Sequence, residues 1–127
     1  MEKQVIRSEG APAPVGPYSQ AVRIGNLVFV SGQIPIDPAA RQVVATDIQG
    51  QTHQVLENAK AILGAAGTSL DNVLKTTCLL KDLNDFRAFN EVYATYFTSN
   101  PPARTTAQVA RLPGDALVEV DFIAFVP

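Results

Sequence analysis

The chain has 127 residues, 46% hydrophobic and 17% charged, with a formal net charge of −2. That length fits one domain, because a split would leave cores too small to stand alone, and the composition excludes a disordered chain. The slightly acidic balance argues against broad nucleic-acid binding, which needs a basic face; one cysteine excludes an internal disulfide, and with one histidine it weighs against a His/Cys metal site. No apolar run reaches the length of a membrane span, and Met1 to Arg7 lacks the apolar stretch of a secretory leader, so a cytoplasmic location is expected. So few charges among so many apolar residues also suggest that another subunit covers part of the surface.

In chain order, Val5 to Arg7 suggests a short first strand. Ala11 to Pro17 holds three prolines in seven residues and is predicted as an extended loop with few backbone donors. Tyr18 to Ile24 and Leu27 to Ser31 flank Gly25-Asn26, a pair suited to a two-residue hairpin turn. Ser31-Gly32-Gln33 ends the strand, and Ile34 to Ala45, with Pro35 and Pro38, reads as a loop.

From Asp47 to Ala66 the apolar residues Val55, Leu56, Ala59, Ile62 and Leu63 recur at helical spacing, with Thr46 or Asp47 as a cap and Gly67 as a stop. Val73 to Lys81 is a predicted strand. Asp82 to Asp85 supplies capping oxygens for a second helix, Asp85 to Phe97, whose apolar face carries Phe86, Phe89, Tyr93 and Phe97, and Asn100-Pro101-Pro102 stops it. Those aromatics, like Cys78, read as core residues. His53, on the polar side of the first helix, has no assigned role.

Arg104 to Leu112 and Leu117 to Val126 are expected to form a final hairpin around Pro113-Gly114-Asp115-Ala116. Val118, Val120, Phe122 and Ala124 alternate with Glu119, Asp121, Ile123 and Phe125. The whole reads as an α+β sandwich in which two helices cover one face of a mixed sheet. The second face is too apolar for bulk water, so a subunit interface is expected there. The hairpin would pair Glu119 with Ala110 and Arg104 with Phe125. Both charges would then share a face, roughly 20 Å apart along the strands. One small ligand cannot touch both in one chain, so a site using both must draw on two copies.

Four stretches resemble the RidA family, also called the YjgF or endoribonuclease L-PSP family. They are Ala13-Pro14-Val15-Gly16-Pro17-Tyr18-Ser19-Gln20-Ala21, Val30-Ser31-Gly32-Gln33-Ile34-Pro35, Lys81-Asp82-Leu83-Asn84-Asp85-Phe86 and Pro102-Ala103-Arg104-Thr105-Thr106, the last extended by Val109 to Pro113. Their order and spacing cover essentially the whole chain. The resemblance implies a chorismate-mutase-like fold, with two helices on a six-stranded mixed sheet. It also implies a homotrimer with clefts between subunits, and cofactor-free, metal-free hydrolysis of imines and enamines such as 2-iminobutanoate and 2-iminopropanoate to 2-keto acids and ammonia. By position, it assigns substrate binding to Arg104, Tyr18, Ser31, Gly32 and Asn90, and an acidic role to Glu119. Thr106 stands where many members have cysteine, which puts thiol chemistry in doubt and leaves a hydroxyl for substrate or water.

The chemistry suits those residue types. A 2-imino acid carries a carboxylate that the planar fork of Arg104 can grip with two hydrogen bonds. Glu119 can hold the attacking water and move its proton. Gly32 lets a ligand approach its N–H closely. Ser31 and Thr106 offer hydroxyls, and Tyr18 an aromatic wall with a polar tip. Each residue also has an ordinary structural use: an ion pair for Arg104, a rim charge for Glu119, a core ring for Tyr18, a helix hydrogen bond for Asn90. Two rivals to the deaminase remain open at this level, an RNA-acting protein and a non-enzymatic small-molecule-binding trimer.

Overall fold

In the computed structural model, which describes residues 1–127, the alternating stretch Val118–Phe125 (β8) lies within a six-stranded sheet. The other members are β1 (Gln4–Ile6), β2 (Ala21–Ile24), β3 (Leu27–Gln33), β6 (Val73–Leu80) and β7 (Ala103–Gln108), in the spatial order β1-β2-β3-β8-β6-β7. The segment expected as a plain loop between Ile34 and Ala45 instead holds a small hairpin, β4 (Ile36–Asp37) with β5 (Gln42–Val43). Its turn is built by Asp37, whose carboxylate accepts the N–H groups of Ala39 and Ala40, and by Arg41 at φ 60°.

The helices are α1 (Ile48–Ala65) and α2 (Phe86–Tyr96). Asp47 caps α1 by accepting the Gly50 N–H at 2.8 Å, and Gly67 at φ 87° takes the chain out of it. Asp82 likewise caps the short 3-10 turn Leu83–Asp85 that leads into α2. The periodic face of α1 and the rings of Phe89 and Tyr93 pack on Val28, Val30, Cys78, Leu80, Val118, Val120 and Phe122 in one buried cluster. Each fully buried Val, Leu, Ile or Phe there contributes about 1.5–3 kcal/mol relative to exposure.

The expected final hairpin is absent. β7 pairs in parallel with β6, whereas β8 is antiparallel to β6 on its other side and antiparallel to β3. The cause is α2. A helix between two strands carries the chain back to the end where the first strand began, so β6–α2–β7 closes as a parallel crossover. Pro113-Gly114-Asp115 does turn, with φ of 65° at Gly114 and 52° at Asp115. It links strands that are not neighbours. The link passes around the end of β6, where Val109 N donates to Leu80 O and Lys81 N donates to Leu117 O.

No helix covers the other face of the sheet. Its register aligns Val22, Phe29 and Ile123 in one row and Ile24, Leu27 and Phe125 in another. Ile24, Leu27 and Phe29 are exposed, while Ile123 and Phe125 are half-buried. No helix is long and apolar enough to cross a membrane.

Candidate functional site

Arg104 is paired with Thr76 across the β6–β7 register, and residues so paired point to the same face. Thr76 is buried and shares a hydrogen bond with Tyr93 of α2, so Arg104 also points toward the helices. Its Nη1 donates to Asn90 Oδ1 at 2.8 Å. The guanidinium carbon stands 4.8 Å from the centroid of the Tyr93 ring, 5.4 Å from Phe86 and 5.7 Å from Phe89. Helical spacing explains the grouping, since positions 86, 89, 90 and 93 share one face of α2. Two residues along β7, the Oγ1 of Thr106 is buried and has no hydrogen-bond partner in the chain.

A second group assembles around the end of β3. The β3–β8 register shifts between Val30 and Gln33, which marks a bulge at Ser31-Gly32. Ser31 Oγ donates to Ser19 O at 2.6 Å. The Tyr18 hydroxyl accepts the Val15 N–H at 3.2 Å, and its exposed ring flanks small clefts shared with Gly32 and with Ser31. A Cβ on Gly32 would lie 2.5 Å from Oε2 of Glu119 and 2.9 Å from its Cδ. The absent side chain of Gly32 therefore makes room for the Glu119 carboxylate, a use that sequence reasoning did not assign to it. Half-burial raises the pKa of Glu119 above the ordinary glutamate value, and the nearby charge of Asp121 adds to the shift.

The structure thus divides the expected residues in two. Arg104, Asn90 and Thr106 stand together on the helix side. Tyr18, Ser31, Gly32 and Glu119 stand around the β3 bulge. The expectation that Arg104 and Glu119 share a face is corrected: Glu119 alternates with buried Val118 and Val120, so it points away from the helices. Its register partner is Leu79, not Ala110, and that of Arg104 is Thr76, not Phe125. From Arg104 through Thr76 to Phe122, and then along β8, the Cα separation is about 14 Å, with side chains on opposite faces.

Two contributions escaped the sequence. The aromatic face of α2, read as core alone, also surrounds Arg104, and Phe86, expected in the core with Phe89, Tyr93 and Phe97, is instead exposed at the first turn of the helix. Gln20 is buried and holds the proline-rich loop. Its Oε1 accepts from Ser8 N at 2.7 Å, and its Nε2 donates to Ser8 O at 3.0 Å and to Pro12 O at 2.8 Å. A loop poor in N–H groups needs such a donor, and a glutamine just after it is the available signal. A cleft of about 680 Å³ opens between this loop, Tyr18 and the β4–β5 hairpin; Arg104 does not line it. No three His, Cys, Asp or Glu side chains converge in a way that would hold a metal ion.

Comparison with known proteins gives a consistent assignment. The family model described as Endoribonuclease L-PSP matches residues 8–126. A RutC family protein of Pyrococcus horikoshii is 57% identical over 123 residues, covering 97% of this chain and 98% of its own. The chloroplastic Reactive Intermediate Deaminase A of Arabidopsis thaliana is 47% identical over 124 residues, covering 98% of this chain and 66% of its own. The crystal structure of Escherichia coli TdcF with bound serine superposes with a TM-score of 0.93 at 43% identity, covering 98% of this chain and 99% of that one. The chain belongs to the endoribonuclease L-PSP family, the RidA family that its motifs resemble.

Proposed function

We propose that the protein is a cofactor-free deaminase that hydrolyses 2-imino acids such as 2-iminobutanoate and 2-iminopropanoate. We propose further that it acts as a homotrimer whose sites lie between copies. The observation that carries the reading is the state of Arg104. Its guanidinium is oriented by rings and by a neutral amide oxygen, and its charge meets no carboxylate in the chain. A substrate carboxylate supplies the missing partner through two parallel hydrogen bonds. The unpartnered hydroxyl of Thr106 lies on the same face of β7 for a further bond to substrate or water.

The protonated imine is already electrophilic. Water adds to its carbon, and Glu119 accepts the proton that the water loses. The same proton then goes to the nitrogen of the carbinolamine, which leaves as ammonia; the hydroxyl proton passes to the Glu119 carboxylate as the C–O bond becomes a carbonyl, and from there to the departing ammonia. One protonated imine and one water give one 2-keto acid and one ammonium ion. A carboxylate with a raised pKa suits both halves of this transfer. Orientation of the imine carbon over the water supplies much of the acceleration.

Arg104 and Glu119 lie on opposite faces of one sheet, so a single small substrate reaches both only if two copies contribute. The uncovered apolar rows around Phe29 and Ile123 support an interface on the Glu119 face. An RNA-cleaving reading, which the family description carries, calls for a broad basic face rather than a single guanidinium among rings. The test generates imine with an amino-acid oxidase and follows its capture by semicarbazide. The protein should reduce capture and release keto acid. An Arg104→Ala chain, inactive alone, and a Glu119→Gln chain, slow alone, should together exceed the activity of either when their subunits are exchanged. Failure to exceed it, with exchange verified by mass spectrometry, would overturn the shared site.

A further inference from the structure

Arg104 is an arginine on a strand near the sheet edge, and nothing in its own element keeps the long side chain in one rotamer. What holds it comes from α2 and from the neighbouring strand. Tyr93 is buried, and its hydroxyl shares a 2.8 Å hydrogen bond with Thr76 Oγ1, which Cys78 Sγ approaches at 3.7 Å. Thr76 is also the register partner of Arg104. The Tyr93 ring is packed between Phe89, at 5.5 Å between centroids, and Phe97, at 4.6 Å, tilted by 43° and 41° respectively, which restricts its rotation. Burial raises the Tyr93 pKa above the ordinary phenol value.

We propose that Thr76 and Tyr93 form a brace, two positioning residues that fix the Arg104 guanidinium in the orientation that takes a substrate carboxylate. The loop of contacts is closed: β7 carries Arg104, β6 carries its register partner Thr76, Thr76 fixes the Tyr93 hydroxyl, and the Tyr93 ring lies against the guanidinium at 4.8 Å. Asn90 Oδ1 directs one edge of the fork, and the rings of Tyr93, Phe86 and Phe89 restrict its plane. A preorganised fork loses less rotamer entropy when the carboxylate arrives, so the brace acts on binding rather than on the hydrolytic step. It also partly desolvates the guanidinium, which strengthens the ion pair it forms.

The proposal rests on the reading of Arg104 as the carboxylate anchor, and the experiment separates the two. The probe is 2-oxobutanoate, titrated into the intact protein, with catalysis measured alongside. Tyr93→Leu should raise its Kd and the substrate KM about threefold to tenfold, with kcat changed much less, since ordering one rotamer-rich side chain on binding costs about 0.5–1.5 kcal/mol. Tyr93→Phe and Thr76→Val, which keep the volume but break the hydroxyl pair, should each raise Kd about threefold. In an Arg104→Ala background none of them should have further effect. The nuclear magnetic resonance signal of Arg104 Hε, shifted by the surrounding rings, should move in Tyr93→Leu and move or broaden in the two conservative variants.

If Arg104→Ala binds 2-oxobutanoate as the parent does, the anchor reading falls, and the brace is still judged by the Hε signal. If Arg104→Ala loses binding while folded Tyr93→Leu keeps it, the brace is overturned. It is overturned equally if Tyr93→Leu weakens binding to the same extent in the Arg104→Ala background. Should Tyr93→Leu not fold, unchanged Hε signals in Tyr93→Phe and Thr76→Val overturn it as well.

Discussion

Gly32→Ala is a small change with a calculable target. The new methyl would stand 2.5 Å from Oε2, 2.9 Å from Cδ and 3.1 Å from Cγ of Glu119. Ordinary contact begins near 3.4 Å, so the carboxylate must move by about 1 Å. Its side chain is flexible at the tip, and the off-rotamer strain is about 0.5–1.5 kcal/mol. Gly32 does not occupy the left-handed region. Alanine therefore brings no backbone strain and recovers about 0.4–1 kcal/mol by restricting the unfolded chain. The two nearly cancel, so the melting temperature should stay within a few degrees. Catalysis should not, because a misplacement of about 1 Å can slow a reaction by about a hundredfold. The assay compares keto-acid release with thermal unfolding, and Gly64→Ala serves as control because nothing lies within 4 Å of a Cβ there. That control should keep full activity and gain about 0.5–1 kcal/mol of helix stability. A fully active Gly32→Ala, or one that loses activity only in proportion to a large loss of stability, would refute the idea that this glycine places Glu119.

Arg104→Ala should abolish deamination with the fold intact, and Arg104→Lys should remain poor because an ammonium does not reproduce the fork; steady-state kinetics and circular dichroism check both. Thr106→Val should be neutral or stabilise the fold by about 1 kcal/mol, since it removes a buried hydroxyl that has no partner, yet lose activity that Thr106→Ser keeps, as melting curves and turnover will show. The parent's activity should rise with pH above the ordinary glutamate range, and Glu119→Gln should abolish that rise and reduce kcat more than ligand binding, as a pH–rate profile will show. The same variant has a stability signature. The folded pKa of Glu119 is raised, so its burial carries no penalty below the unfolded pKa and the full penalty above the folded one. Glu119→Gln should therefore melt higher than the parent at neutral pH and equally at about pH 3, below the unfolded glutamate pKa.

Much of this was legible in the sequence because it depends on local rules. The period of Val55, Leu56, Ala59, Ile62 and Leu63 placed α1, and the alternation from Val118 to Ala124 placed the buried face of β8. The error concerned pairing, which is not local. Pro113-Gly114 carries the chemistry of a tight turn, and adjacent strands with a turn between them suggest a hairpin. The competing rule, that strand, helix and strand form a parallel crossover, depends on which edge of β6 is free, and β8 already occupies one edge. With β7 on the wrong neighbour, Arg104 came out on the wrong face. The brace was illegible for a different reason. Buried aromatics at helical spacing look the same whether they meet aliphatic side chains or a guanidinium, and only the β6–β7 register sets Arg104 opposite Tyr93. Gln20 and the Gly32–Glu119 contact likewise join residues far apart in the chain.

Three side chains in this fold are left with capacity that the chain itself does not use. Arg104 is held by rings and a neutral amide but has no counter-charge, Glu119 is half-buried beside another carboxylate, and Thr106 buries a hydroxyl without a partner. The last two arrangements are unfavourable by themselves. Any of them is easily relieved by substitution: valine for the threonine, glutamine for the glutamate, an aliphatic residue for the arginine. Their joint presence therefore points outside the chain. Under the proposed function, a bound 2-imino acid supplies the carboxylate that Arg104 lacks, water supplies the proton that Glu119 is tuned to take, and either can satisfy Thr106. The opposite faces of Arg104 and Glu119 then become a requirement for association. A chain that puts the anchor on one side of its sheet and the base on the other cannot turn over substrate alone, so activity should disappear on dilution to monomers even where the fold survives.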